Sequence, residues 1–307
     1  MTSIFLSFFL LMLCGMLWRF LPRVPSGATV RVAISAVVMN ILLPALTFKV
    51  LYNAPLSHDI WQVPVTALVS CVVSVILAVV VYQVIIPKMI ALPMQSRGAM
   101  ILAAGWGNVT YLGIPIVTAL VGEEFQRVPI YFDLLSLTPL LWSLGVVIAT
   151  RYGTATNHVH PFTHSIQTLV RLPPIYAAIL GLACNALHIP IPEFIVKACS
   201  TAAVAVAPLM IISVGIALRW TSLQKTIQAL PAVVLKLAVV PIVAILITQQ
   251  LGITGGVYTA TIAESAMPTM VLTMVVSEQF GLDSELLAQA IAISTVLSFI
   301  TIPLWCT

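Results

Sequence analysis

Gly105-Trp106-Gly107-Asn108-Val109-Thr110-Tyr111-Leu112-Gly113-Ile114-Pro115 places three glycines, a proline and an asparagine inside an otherwise apolar stretch. A second interruption, Ala263-Glu264-Ser265-Ala266-Met267-Pro268-Thr269, falls at the matching place in the other half of the chain. In hydrocarbon every backbone N–H and C=O must be paired within the protein. A broken span therefore persists only where protein or a water-filled cavity receives the freed groups. Two such breaks in corresponding positions point to the midplane binding site of a secondary transporter.

The surrounding composition is that of a membrane protein. Of 307 residues, 61% are hydrophobic and 7% charged, and the mean hydropathy is +1.12; soluble domains carry about 25% charged residues. At about 20 apolar residues per crossing, ten spans are expected, at about 3–21, 32–51, 61–86, 98–121, 128–150, 169–187, 196–218, 228–248, 256–279 and 286–305. The loops are too short for a soluble domain, so chemistry is confined to the membrane and its faces. The first segment lacks a cationic start and a small-residue cleavage site, and it reads as a retained helix rather than a removable signal. Cys14, Cys71, Cys184, Cys199 and Cys306 are scattered and odd in number, which predicts neither a disulfide framework nor a metal site. The chain has no P-loop, His-Glu-x-x-His or nucleophile-elbow pattern, so neither ATP-driven transport nor an enzyme is expected.

The net charge of +4 is a matter of topology. With the N-terminus outside, Arg19, Arg23, Arg31, Lys88, Arg97, Arg151, Arg171, Arg219 and Lys225 all lie at the cytoplasmic face. Only Arg127 and Lys197 lie outside, which is a positive-inside pattern. The expectation is a multi-pass protein of the cell membrane, a bacterial inner membrane, with both termini on the non-cytoplasmic side. No basic residues are left to argue for a nucleic-acid partner.

Landmarks recur about 160 residues apart. Leu42-Leu43-Pro44-Ala45-Leu46 matches Val206-Ala207-Pro208-Leu209-Met210, Gln62-Val63-Pro64 matches Gln228-Ala229-Leu230-Pro231, and Pro139-Leu140-Leu141-Trp142 matches Pro303-Leu304-Trp305. Taken singly, Pro64, Pro139, Pro231 and Pro303 read as kinks of membrane helices. Because five spans is an odd number, the second copy inserts upside down. The expected fold is thus an all-α polytopic membrane protein of ten transmembrane helices, arranged as two inverted five-helix repeats. The repeats cover 1–152 and 166–307, joined by a short cytoplasmic connector at 153–165.

At these residues the chain resembles the auxin efflux carrier family, whose bacterial members are often described as malonate or malate permeases. The family shares its fold with bile-acid and arsenite transporters. Asn108 to Pro115 is similar to the family's Asn-x4-Gly-Ile-Pro segment, and Met39-Asn40-Ile41-Leu42-Leu43-Pro44-Ala45 and Ala266-Met267-Pro268-Thr269 fit the same pattern. The resemblance implies fourth and ninth helices that unwind at prolines and cross near mid-membrane. It also implies a scaffold of spans 1, 2, 6 and 7, which forms a homodimer, and a moving transport domain of spans 3, 4, 5, 8, 9 and 10. It makes Asn108 the substrate-contacting asparagine, with Pro115 at the first break and Pro268 at the second. The long cytoplasmic loop of the plant carriers is missing here, so regulation through it does not carry over.

The chemistry of the breaks agrees with that placement. The start of a half-helix offers free N–H groups and partial positive charge, which suit a carboxylate. Asn108 adds amide donors and Thr110 a hydroxyl. Tyr111 and Trp106 either line an apolar wall or pack. The expected substrate-binding set is Asn108, Thr110, Tyr111, Gly113, Pro115, Ser265, Met267, Pro268 and Thr269. Glu264 stands out, because a charge at a helix centre costs about 2.5 to 3.5 kcal/mol on insertion scales. It is read as a proton carrier, as a ligand for a coupling cation such as sodium by analogy with the bile-acid symporter fold, or as a structural cap. An ionised Glu264 would repel an anionic substrate, and protonation removes that conflict.

Asp133 is either a solvated interfacial acid or a second coupling group. Lys49 sits near the end of its span and can snorkel. The deeper Lys236, and Asn40, are candidates for gate or substrate contacts. His158, His160 and His164 fit a polar connector without a metal. Asn108-Val109-Thr110, although a sequon, lies inside the membrane and is not expected to be glycosylated. The expected function is secondary transport of a small organic anion, a carboxylate, by an elevator or rocking motion coupled to protons and without a cofactor. The alternatives are a sodium-coupled symporter and a membrane sensor that binds its ligand without moving it.

Overall fold

A computed structural model describes residues 2–154, 171–218 and 222–306; His158, His160, His164, Arg219 and the connector from 155 onward lie outside the described residues. The helices are α1 (Thr2–Leu17), α2 (Gly27–Tyr52), α3 (Asp59–Lys88), α4 (Met94–Gly105), α5 (Val109–Val121) and α6 (Glu123–Tyr152) in the first half. In the second half they are α7 (Pro173–Ala186), α8 (Glu193–Ala217), α9 (Leu223–Gln250), α10 (Gly255–Ser265), α11 (Thr273–Phe280) and α12 (Ser284–Trp305). Six of them, α2, α3, α6, α8, α9 and α12, are long and apolar enough to cross a membrane. The described residues contain no strand, and the chain is an all-helical, multi-pass membrane protein. The first expected span is a helix of 16 residues and the sixth one of 14. The fourth and ninth are each divided in two.

Local sequence explains where helices start. Ser26 caps α2 by accepting the Thr29 N–H at 3.2 Å, Ser222 caps α9 by accepting the Lys225 N–H at 3.2 Å, and Asp283 caps α12 by accepting the Leu286 N–H at 3.0 Å. Each satisfies an N–H that has no partner inside the helix.

Proline shapes the interiors. Wide turns at Val38–Leu42, Val81–Ile85, Val109–Gly113, Asp133–Leu137 and Leu235–Val239 each end shortly before a proline: Pro44, Pro87, Pro115, Pro139 and Pro241. The pyrrolidine ring clashes with the carbonyl one turn earlier and lacks an N–H, so the preceding turn opens. Pro64, Pro208, Pro231 and Pro303 instead lie inside regular helix.

Helices α1, α2, α7 and α8 pack mainly on one another, with α8 against α1 and α2, and α7 against α2. The contact of α1 with α8 is made by backbone. A Cβ on Gly15 would meet the Ile212 carbonyl oxygen, and one on Gly215 the Met12 carbonyl oxygen. Small residues allow this approach where lipid gives helices no hydrophobic reason to associate. Helices α3, α4, α6, α9 and α12 form the other set of contacts, and α5 meets α8 between the two. Gly215→Leu is expected to separate α1 from α8 at a cost of about 1 to 3 kcal/mol, the usual range for overpacking. A lower thermal unfolding temperature of the purified protein checks it, and an unchanged one would contradict the close crossing.

A candidate substrate site at two paired helix breaks

The first break is short. Helix α4 stops at Gly105, Trp106 turns extended at φ −101° and ψ 127°, and Asn108, at φ −82° and ψ 58°, leads into α5. The unwound residues are thus 106–108, ahead of Pro115 rather than at it, because Pro115 acts on the wide turn Val109–Gly113 that precedes it. In the second half α10 ends at Ser265 and α11 begins at Thr273, with Pro268 between them.

The two breaks complete each other's hydrogen bonds. Gly107 and Thr269 form an isolated antiparallel bridge. The Asn108 N–H donates to the Pro268 carbonyl at 2.7 Å, and the Met270 N–H to the Trp106 carbonyl at 2.9 Å. Side chains take up further groups at the cut helix ends. Thr269 Oγ1 donates to the Ala103 carbonyl at 2.9 Å and Ser74 Oγ to the Ala104 carbonyl at 2.8 Å. Ser294 Oγ accepts the Thr269 N–H at 3.1 Å, and Ser265 Oγ donates to the Ile262 carbonyl at 2.7 Å. Lys236, 1% exposed, donates from Nζ to the Ser265 carbonyl at 2.7 Å. This sets a cation on the partial negative charge at the end of α10.

Glycines of the first break make room for charged side chains of the second half. A Cβ on Gly107 would lie 3.0 Å from Lys236 Cε. A Cβ on Gly113 would collide with both oxygens of the Glu264 carboxyl. Glu264 is fully buried, and neither of its oxygens has a hydrogen-bond partner. Asn108 is 2% exposed and its Nδ2 is likewise without a partner. These are the orphaned polar groups of the break region.

The other expected residues are placed as follows. Thr110 donates to Asp133 Oδ2, and Thr138 donates to Asp133 Oδ1 at 2.6 Å. Asp133 is therefore buried and bonded rather than solvated. Met267, Pro268 and Thr269 are buried in the second break. Trp106 is also buried, with its Nε1 donating to the Leu137 carbonyl at 3.0 Å.

Tyr111 reaches a cleft of about 250 Å³ that Arg31 also lines. Pro115 reaches a separate cleft of about 300 Å³ beside Lys49. At 1.5 Å per residue, Arg31 and Lys49 stand about 27 Å apart along α2. Between the clefts lies an apolar cluster in which Ile114 packs with Val38, Leu43, Leu46, Val206 and Met210. Lys49 Nζ sits 3.7 Å from Glu123 Oε2, joining α2 to the start of α6. Asn40 is exposed, donates to the Ala36 carbonyl of its own helix at 2.8 Å, and lines neither cleft.

Several participants escape a reading of sequence. Ser74 and Ser294 look like ordinary small residues of apolar helices, and only their partners reveal their role. The buried pair of Arg127 Nε and Asp59 Oδ2, 2.6 Å apart, holds α6 to α3. Asp133 could have been linked to Thr138 by its spacing, since i and i+5 can meet across the wide turn at 133–137.

Comparison with known proteins agrees with this architecture. A family profile described as membrane transport protein matches residues 6–306. The chain is 28% identical over 309 residues to an uncharacterized transporter of Methanothermobacter thermautotrophicus, covering 99% of this chain and 97% of the relative. It is 25% identical over 276 residues to an uncharacterized transporter of Methanocaldococcus jannaschii, covering 88% and 86% of the two chains. A match along nearly the whole chain, on a multi-pass helical protein with two mutually paired breaks, places this protein in the membrane transport protein family of the auxin efflux carriers.

Proposed function

We propose that the protein is a secondary transporter of a small organic anion, a carboxylate, coupled to protons and working by elevator-type alternating access. The observation that carries this reading is the pair of bonded breaks holding two buried groups without partners, the Asn108 side-chain Nδ2 and the Glu264 carboxyl. Buried polar groups are nearly always hydrogen-bonded, and an orphan at a functional position stands ready for a missing partner. Asn108 Nδ2 and the first N–H groups of α5 are donors suited to a carboxylate. Thr110 extends from the same turn of α5 and is bonded to Asp133 of α6. Ser265, Met267, Pro268 and Thr269 form the facing wall, with the Ser265 and Thr269 hydroxyls holding the cut backbone.

Glu264 is the coupling group in this reading. An ionised carboxylate there would have neither counter-ion contact nor hydrogen bonds, a costly state in a dry interior. A bound proton removes the charge. A bound sodium ion would also satisfy both oxygens, which is why sodium coupling is the second reading.

The motion would carry α3, α4, α5, α6, α9, α10, α11 and α12 past a scaffold of α1, α2, α7 and α8, which also forms the homodimer. The packing of these helices into two sets supports that division. The same reading takes residues 1–152 and 166–307 as inverted repeats whose broken helices cross, and puts the Arg31 end of α2 on the cytoplasmic side.

Asn108→Ala is expected to abolish counterflow of carboxylates in proteoliposomes while expression and elution behaviour stay normal. Normal counterflow in that variant would refute the site. Glu264→Gln is expected to flatten the pH profile of uptake and remove its dependence on a proton gradient. An unchanged profile would remove Glu264 from coupling, and uptake driven by a sodium gradient alone would favour the second reading.

A further inference from the structure

Arg31, Ser35 and Met39 stand at i, i+4 and i+8 on α2, one stripe of a helix, and all three line the cleft of about 250 Å³ that ends at Tyr111. Across it are Val271 and Leu272 of the second break and Met274 and Glu278 of α11. Arg31, Val271, Met274 and Glu278 also line an adjoining cavity of about 410 Å³, so the two spaces run together beside Arg31. The combined cleft runs from the second break to Tyr111 in the first turn of α5 and holds one cation, an apolar wall and, on the opposite side, Glu278, while Glu285 of the adjoining cavity is paired with Lys225. Among the described residues neither Arg31 nor Glu278 is in an ion pair.

We propose that this cleft is a binding station for the substrate on the Arg31 side of the protein, selective for a single carboxylate on an apolar body. The inference rests on the carboxylate-transport reading and narrows its substrate class. Arg31 supplies a planar fork of donors that matches a carboxylate, within walls of low dielectric that strengthen the attraction. Met39, Val271, Leu272 and Met274 receive the apolar body. A dicarboxylate finds only one cation and meets Glu278 with its second charge, so Glu278 acts as a repulsive element that sets specificity. Tyr111 lies in the first turn of α5, next to Thr110 and three residues from Asn108, so the station ends one helical turn from the first break.

The test uses purified full-length protein and two acids of equal chain length, hexanoate and adipate. Hexanoate is expected to bind about tenfold or more tightly than adipate, and Arg31→Gln to weaken hexanoate by about tenfold or more, as loss of a charge-assisted contact does. Arg31→Lys should retain part of the affinity. Glu278→Gln, at an exposed position, should bring adipate towards hexanoate, a gain that misfolding cannot produce. Equal binding of the two acids, no binding of either, or hexanoate binding unaffected by Arg31→Gln would overturn the station. Carboxylate counterflow by the native protein alongside any of those results would leave the transport reading standing. Arg31-dependent hexanoate binding with no counterflow of any carboxylate would do the reverse.

Discussion

A peptide group that loses its helical partner inside hydrocarbon must find another within the protein or cost several kcal/mol. The centre of this molecule is organised by that constraint. Neither break can be satisfied alone: each lends the other one backbone hydrogen bond, through the Asn108 and Met270 amides. The remaining groups draw on Ser74, Lys236 and Ser294, which come from three further helices. The breaks therefore hold α3, α4, α9, α10 and α12 together at one level of the structure. A change in either break is felt in both halves of the chain.

The same constraint divides the polar residues named at the breaks into two kinds. Ser265, Thr269, Ser74, Ser294 and Lys236 are committed to backbone groups, and Thr110 and Thr138 are committed to Asp133. The Asn108 side-chain Nδ2 and both Glu264 carboxyl oxygens have no hydrogen-bond partner in the protein. A sequence presents all of these as polar residues in apolar helices. Only geometry separates those that hold the backbone from those without a partner.

Much of the architecture was legible in the chain because hydrophobicity and helix breakers are local signals. Gly, Pro and polar residues within a few positions were enough to locate both interruptions, and the apolar runs located the long helices. What was not legible depends on contacts distant in sequence. Pro115 was expected to mark the first break, yet the chain unwinds earlier, where two glycines permit it and the second break supplies partners. Gly113 reads as a helix breaker, whereas in space it is a seat for the Glu264 carboxyl. Lys236 was expected at a gate or substrate, and its nearest partner is the cut end of α10. Arg31 first counted only towards topology, although its spacing to Ser35 and Met39 already put the three on one stripe.

The seam where Ile114 meets Val38, Leu43, Leu46, Val206 and Met210 has a different character from the breaks. Its side chains carry no hydrogen-bond donor, and dispersion between apolar groups is weak pair by pair and indifferent to direction. A hydrogen-bonded joint is keyed and fits in one register, but a joint of this kind is a lubricated bearing. It separates the cleft beside Lys49 from the cleft beside Arg31 with side chains that form no hydrogen bond across the joint. The molecule thus combines a keyed core with a greased boundary, and if the proposed motion runs along that boundary, friction rather than bond breaking would set its speed.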